Sequence, residues 1–329
     1  MHFSGVIELT NAKIITIMRI GWRQFIKSKL QRKSGYAAVG ISLSIDTASF
    51  CALKRTRDGH EIALYHETPM GDWPVALAKW TNRNKIGNAQ CAVSFGSMFY
   101  NVYQTEKPAV ADDEIHQALT WTVKELTGAN MVFDYFEIPA QSSGNNNINV
   151  AVVPASILEG AIDAVTKAGL QLETITVEEL AVCDVLPVAE EPVMTLLQKA
   201  GEEIQLAIVK QGQLYFSRSL KGFENLGSFT VEELQMGVMD SLSVQIQRSM
   251  DYFESQLRQA PVRKILMNIE AANSEPIAAQ IRELMRVDVE PFEVNIPMTA
   301  DSQFPLTYQC VGAALGLLGS PQNSAEKAA

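Results

Sequence analysis

The sequence predicts an α/β protein built in two halves, on three observations. Residues 232–259 contain no proline and one glycine, Gly237, and place Leu234, Val238, Leu242, Ile246, Met250, Phe253 and Leu257 at intervals of four or three. That spacing draws one apolar stripe along a helix. At roughly 1.5 Å per residue the helix is about 40 Å long, enough to cross a domain. The apolar run at 264–269 follows as a buried strand, and a strand–helix–strand alternation is the α/β signal. Finally, the second half repeats the order of strands and turns that opens the first.

Composition sets the limits. The chain has 329 residues, almost half hydrophobic, which suffices for two domains. Its net charge is -10, unevenly spread: the first 60 residues hold ten Lys and Arg against three Asp and Glu, so the remainder carries -17. An acidic body argues against nucleic acid as a partner. The four cysteines, Cys51, Cys91, Cys183 and Cys310, lie far apart among apolar residues without CxxC spacing. They read as reduced, buried small hydrophobes, which suits the cytosol. The four histidines show no metal-ligand spacing, and no run is long and apolar enough to span a bilayer.

Residues 1–17 read as a short strand, an extension, or sequence upstream of a start at Met18. Residues 18–33 read as a basic amphipathic helix. Trp22, Phe25, Ile26 and Leu30 fall on one side, and Arg19, Arg23, Lys27, Lys29, Arg32 and Lys33 supply six positive charges without an acid. Such a helix lies on an anionic membrane, docks on a partner, or packs on its own domain. Ser34-Gly35 ends it. Strands follow at 37–43, 50–53 and 61–65, with a hairpin turn at 57–60. Residues 73–81 form a helix with Pro74 in its first turn, and 91–95 a strand. Residues 105–111 read as a linker, 112–125 as a helix and 132–138 as a strand; this piece, framed by Pro108 and Pro139, reads as a small insertion. Then come a strand at 148–153, a helix to Lys167 closed by Gly169, a strand at 172–177, a helix at 178–186 and a linker at 187–192. The second half gives strands at 192–197, 204–210 and 213–220 and then the long helix, which Thr230 caps, with Glu232 and Glu233 in its first turn, and which Pro261 stops. A helix at 275–285, a short strand at 287–289, a closing helix at 308–318 rich in Gly and Ala, and a polar tail complete the chain.

The order and spacing of four stretches resemble the actin-like proteins of type IV pilus assembly, the PilM group, and within it the branch serving mannose-sensitive haemagglutinin pili. These stretches are Gly40-Ile41-Ser42-Leu43-Ser44 with Thr47-Ala48-Ser49, Val152-Val153-Pro154-Ala155 through Ala168-Gly169-Leu170, Ser241 to Phe253 with Ile246-Gln247-Arg248-Ser249, and Val311 to Leu317. The resemblance covers roughly residues 35–319. It implies a two-lobed actin-like, ribonuclease H-like ATPase fold. A first lobe would span 35–107 and 148–189, completed by 304–319; a small inserted subdomain 108–147; and a second lobe 190–303. An extension at 1–34 and a polar tail at 320–329 flank them.

The same resemblance implies ATP with magnesium between the lobes, and the residues argue against it. Where the group has a carboxylate and a glycine in its first phosphate loop, this chain has Ser42 and Ser44, followed by Thr47. A hydroxyl does not replace the charge, and a side chain crowds the backbone approach to a phosphate. In the second loop only Gly201 remains, and Glu202 and Glu203 would repel a triphosphate. The adenosine stretch, Asn268 to Asn273, has no glycine. Ser42, Ser44, Thr47 and Gly201 are therefore degenerate phosphate-loop positions, and no catalytic or metal-binding residue is assigned. The expected function is a scaffold at the cytoplasmic face of the inner membrane, binding the cytoplasmic part of a PilN-like bitopic protein. Residues Arg19, Trp22, Arg23, Phe25, Lys27, Lys29, Arg32 and Lys33 would meet the membrane or that partner. The competing expectations are an active ATPase or kinase using Asp46, Glu202 or Asp184, a filament-forming protein, and a component of a type II secretion-like platform.

Overall fold

The computed structural model describes residues 34–57, 59–128, 130–139, 146–299 and 307–319. The basic segment 18–33, with every membrane or partner residue assigned to it, and the tail 320–329 lie outside them.

The first lobe opens with β1 (Ala38–Leu43), β2 (Thr47–Arg55) and β3 (His60–Pro69), followed by α1 (Trp73–Asn84) and β4 (Gln90–Phe95). Next come β5 (Asn101–Glu106), α2 (Ile115–Thr127), β6 (Met131–Glu137) and β7 (Asn147–Pro154). The chain then runs through α3 (Ala155–Lys167), β8 (Gln171–Val177) and α4 (Glu178–Val185). The second lobe holds β9 (Val193–Gln198), β10 (Ile204–Lys210), β11 (Gln213–Leu220), α5 (Met239–Asp251), β12 (Lys264–Ile269), α6 (Ser274–Met285) and β13 (Asp288–Pro291), and α7 (Tyr308–Gly319) closes the chain.

The two lobes are the same arrangement made twice. The first sheet has the order β3-β2-β1-β4-β8 and the second β11-β10-β9-β12-β13. In each, the first three strands are antiparallel and the last two run parallel to the first. The parallel strands need crossover helices, and those helices cover one face. Val39, Ile41, Leu43, Phe50 and Val93 pack with Leu77 of α1 and Val165 of α3. Met194, Leu196 and Ile265 pack with Leu242 and Ile246 of α5 and Ile281 of α6. The other faces meet through two inner helices. Cys310, Val311 and Ala314 of α7 lie on Ala38, Cys51 and Leu53, while Val182 of α4 packs with Leu197. A Cβ added at Gly312 would sit 2.0 Å from the Ala181 carbonyl oxygen, so α7 and α4 touch backbone to backbone. All four cysteines are free and buried.

Two expectations need correction. Residues 148–153, assigned to the first lobe, form β7, and β7 is the centre of a separate three-stranded sheet in the order β5-β7-β6. The stretch read as a linker from residue 105 begins inside β5, which runs from Asn101 to Glu106. Ile148, Val150 and Val152 cover Ile115, Leu119 and Val123 of α2. The inserted unit therefore takes in strands on both sides of 108–147. The alternation that marks β7 as a strand says nothing of which sheet receives it.

The long helix is not one rod. Thr230 caps a first turn at Val231–Glu233, its hydroxyl accepting from the Glu233 amide while the Glu233 carboxylate accepts from the Thr230 amide. The helix then breaks at Met236 and Gly237, where Gly237 takes φ 107°, before α5 begins at Met239. Glycine adopts that φ without strain. Leu234, Met239 and Leu242 are buried in the same core, so the apolar stripe runs across the break and conceals it. At the far end Arg258 turns left-handed, three residues before Pro261.

Candidate functional site

Two hairpins face each other between the lobes. In the first, between β1 and β2, the Ser44 amide donates to the Thr47 carbonyl and Ile45 and Asp46 form the tip. In the second, between β9 and β10, Gly201 takes φ 81° and the Glu202 amide donates to the Lys199 carbonyl. The Gln198 side-chain amide braces this turn by donating to the carbonyls of Glu202 and Phe223, each at 2.8 Å. Lys199 reaches across the gap, and its ammonium donates to Ser44 Oγ at 2.6 Å. Gln205 of β10 donates to Ser97 Oγ at 3.2 Å, a second tie between the lobes.

The base of the gap is lined by the starts of the inner helices. Glu178, at the first position of α4, is 5% exposed. It accepts from the Tyr308 hydroxyl at 2.5 Å, from Gln309 Nε2 at 2.9 Å and from the Ser97 amide at 3.3 Å. Three donors make a carboxylate tolerable at that depth. Beside it, Glu179 accepts from the Tyr100 hydroxyl. Burial pushes the Glu179 carboxyl up to about 7, with Glu178 nearby adding to the rise. Glu202 is also raised, first by burial and then by Glu178, Glu270 and Asp46, while Lys199 opposes the rise.

Of the degenerate loop positions, Ser44 and Gly201 come to the facing hairpins. Thr47 contributes its carbonyl to the first turn. Ser42 lies deeper, at 2% exposure, with no hydrogen-bond partner for Oγ. Its face of β1 is shown by Gly40, which rests against the Cys310 backbone of α7. Ser42 belongs to a row at one register level across all five strands: Glu67, Ser49, Ser42, Ser94 and Thr176. Thr307 joins this row by a 3.1 Å bond to Ser49. Sequence reasoning missed Glu178, Lys199 and Gln309. The one available signal was Glu178 directly after a strand at a helix start, where carboxylates are common.

Two cavities open beside these elements. The larger, about 1050 Å³, is lined by Asp46, Glu202 and Glu203, by Ser97 through Val102, and by Tyr215 through Ser219 of β11. The smaller, about 290 Å³, runs between β6 and β8 and is predominantly apolar: Val132 through Phe136 and Thr174 through Val177 line it, with Phe95, Leu158 and Leu180. Both strands are the outermost of their sheets. Ala151 through Val153 of the central strand β7 line the same channel, and it is the sheet order that makes β6 and β8 edge strands. Asp184 lines this groove rather than the gap between the hairpins, which leaves Asp46 and Glu202 as the carboxylates at that gap from the enzymatic expectation. Among the described residues no helix is long and apolar enough to cross a membrane.

No protein-family model matches the chain, and no curated protein sequence matches it. Solved structures do. A PilM–PilN type IV pilus biogenesis complex aligns over 87% of this chain and 100% of the solved one, at 14% identity and a TM-score of 0.63. The cytoplasmic domain of EpsL, an inner-membrane component of the type II secretion system of Vibrio cholerae, aligns over 86% and 95%, at 9% identity and a TM-score of 0.48. A protein of unknown function with an actin-like ATPase fold from Bacteroides thetaiotaomicron aligns over 78% and 91%, at 10% identity and a TM-score of 0.47. The likeness to the first carries the fold: this chain has a two-lobed α/β fold of the actin-like ATPase type.

Proposed function

We propose that this protein is a cytoplasmic, actin-like scaffold of type IV pilus biogenesis, of the mannose-sensitive haemagglutinin (MshI-like) type, which holds the cytoplasmic tail of a PilN-like inner-membrane protein. The groove between β6 and β8 carries the reading. It is narrow, mostly apolar and walled by two strand edges. An extended peptide laid there gains main-chain hydrogen bonds from an edge and seats alternate side chains in the channel. Asp134 and Asp184 line it, which suits a basic juxtamembrane tail. The basic segment 18–33 would hold the scaffold at the anionic inner face of the membrane or against the same partner.

The gap between the hairpins supports a scaffold without ATP. A Lys199–Ser44 bond spans it, and the carboxylates around it, Glu178, Glu202 and Asp46, add negative charge where a triphosphate would sit. Titration calorimetry tests both parts. A synthetic peptide of the PilN-like tail should bind the full chain, and Thr174→Arg, which fills the groove, should abolish binding without lowering the melting temperature. Unchanged binding by the variant overturns the groove assignment, and preference for a type II secretion platform tail moves the protein to that system. Micromolar binding of Mg-ATP overturns the degenerate site. Liposome flotation at low and high salt, with full-length protein and with a form lacking residues 1–31, tests the membrane role; equal flotation of both forms ends it.

A further inference from the structure

The larger cavity holds a second strand edge of different chemistry. β11 is the outermost strand of the second-lobe sheet, and five consecutive residues, Tyr215 to Ser219, line the cavity. One of these five is Arg218. Its guanidinium donates through Nη2 to the Gln245 side-chain oxygen and, at 3.5 Å, to the Gln245 carbonyl, while its Nε is buried without a partner. Arg248, one helical turn on from Gln245, lies on the same side of α5. Burial, and then the charge of Arg248, lower the Arg218 pKa. Among the described residues neither arginine forms an ion pair.

The acids of the cavity are engaged elsewhere. Glu203 pairs with Lys221, Glu224 accepts from the Gly222 amide, and Glu179 accepts from Tyr100. Glu202 and Asp46 belong to the hairpin end, beside Lys199. Two neighbouring guanidinium groups without a counter-charge, one with an unused buried N–H, form a receptor for a carboxylate. Tyr215, Phe216 and Tyr252 supply apolar and aromatic surface next to them.

We propose that the outer edge of β11 is a docking strand for an extended acidic segment of a partner protein, whose main chain adds to the second-lobe sheet and whose carboxylate is received by Arg218 and Arg248. Arg218 lines the larger cavity and Arg248 stands on the exposed face of α5 outside that lining; the site lies apart from the β6–β8 groove, and its sign is opposite: the groove suits a basic tail, the β11 edge an acidic strand.

The test is a selection of short random peptides displayed on phage against the full chain, counter-selected on Arg248→Glu. The peptides that separate the two forms should share an Asp or Glu flanked by alternating β-branched or aromatic residues. Their dissociation constants should rise at least about tenfold on Arg218→Gln and on Arg248→Glu, as loss of a desolvated charge pair demands. Arg248 is exposed, so its variant keeps the test valid if Arg218→Gln fails to fold. Peptides N-methylated on alternate amides should lose binding. Failure to recover any peptide that separates the two forms overturns the proposal, as does recovery of basic ones. Competition by inorganic phosphate, with N-methylated peptides binding unimpaired, would reduce the site to an anion pocket and also overturn it. Thr174→Arg should leave these peptides bound, so failure here and failure of the groove reading remain distinguishable.

Discussion

Gly40→Ala puts the packing of α7 on the first lobe to a quantitative test, because propensity and packing predict opposite signs. Gly40 lies inside β1, where alanine is ordinarily favoured over glycine by about 0.5–1 kcal/mol. A Cβ built on it would sit 1.7 Å from the Cys310 carbonyl oxygen, 2.8 Å from the Cys310 carbonyl carbon and 3.0 Å from the Ala314 Cβ. Relieving the first contact even to 3.0 Å requires β1 and α7 to part by about 1.3 Å. Neither side yields easily. β1 is the central strand of its sheet, and α7 is held from behind by Gly312 against the Ala181 backbone. A radial gap of that size forfeits more than half of the dispersion energy along the interface. The expected result is a loss of about 3 kcal/mol, at the upper end of the range for overpacking. Urea unfolding followed by circular dichroism measures it, with Gly160→Ala as control. Gly160 is exposed in α3 and an added Cβ meets nothing within 4 Å, so that variant should gain roughly 0.8–1 kcal/mol. A Gly40→Ala protein within about 1 kcal/mol of the parent refutes the backbone-to-backbone packing of α7 on β1.

Two further outcomes follow from the buried polar groups. Glu179 has its carboxyl raised to about 7 by burial, so the folded state holds a proton that the unfolded state releases near 4.5; stability from this group is full below 4.5 and is lost as pH rises to about 7, a loss of roughly 3 kcal/mol. Glu179→Gln should flatten the stability profile over that window, and a decline as steep as the parent's refutes the assignment. Ser42→Ala removes a buried hydroxyl without a partner, so unfolding free energy should stay equal or rise by up to about 1 kcal/mol, and the proposed scaffold role requires that pilus assembly stay intact; a loss above about 1 kcal/mol counts against the packing, and loss of assembly at unchanged protein level against the degenerate site.

What the sequence determined by itself is most of the elements, though not β5 or the break at Gly237, and which residues they bury. The runs read as strands at 192–197, 204–210 and 213–220 became β9, β10 and β11, the Thr230 cap formed as its residues demanded, Gly169 closed α3 and four isolated cysteines became buried thiols. These follow from local sterics and from the separation of apolar from polar side chains along a few turns. Tertiary structure decided what local patterning cannot carry. β7 reads the same whether it enters a lobe or an insertion, and only its register with β5 and β6 places it. Gly237 reads as a tolerated helical glycine until the core requires Leu234 and Met239 on either side of a bend. Glu178 with Gln309, and Lys199 with Ser44, meet across 131 and 155 residues of chain. The two edge grooves exist because three sheets lie side by side with β6, β8 and β11 outermost. A sequence specifies which side chains leave water, through spacing over a few residues; which surfaces they then meet depends on the closure of long loops, and that is decided only when the lobes pack.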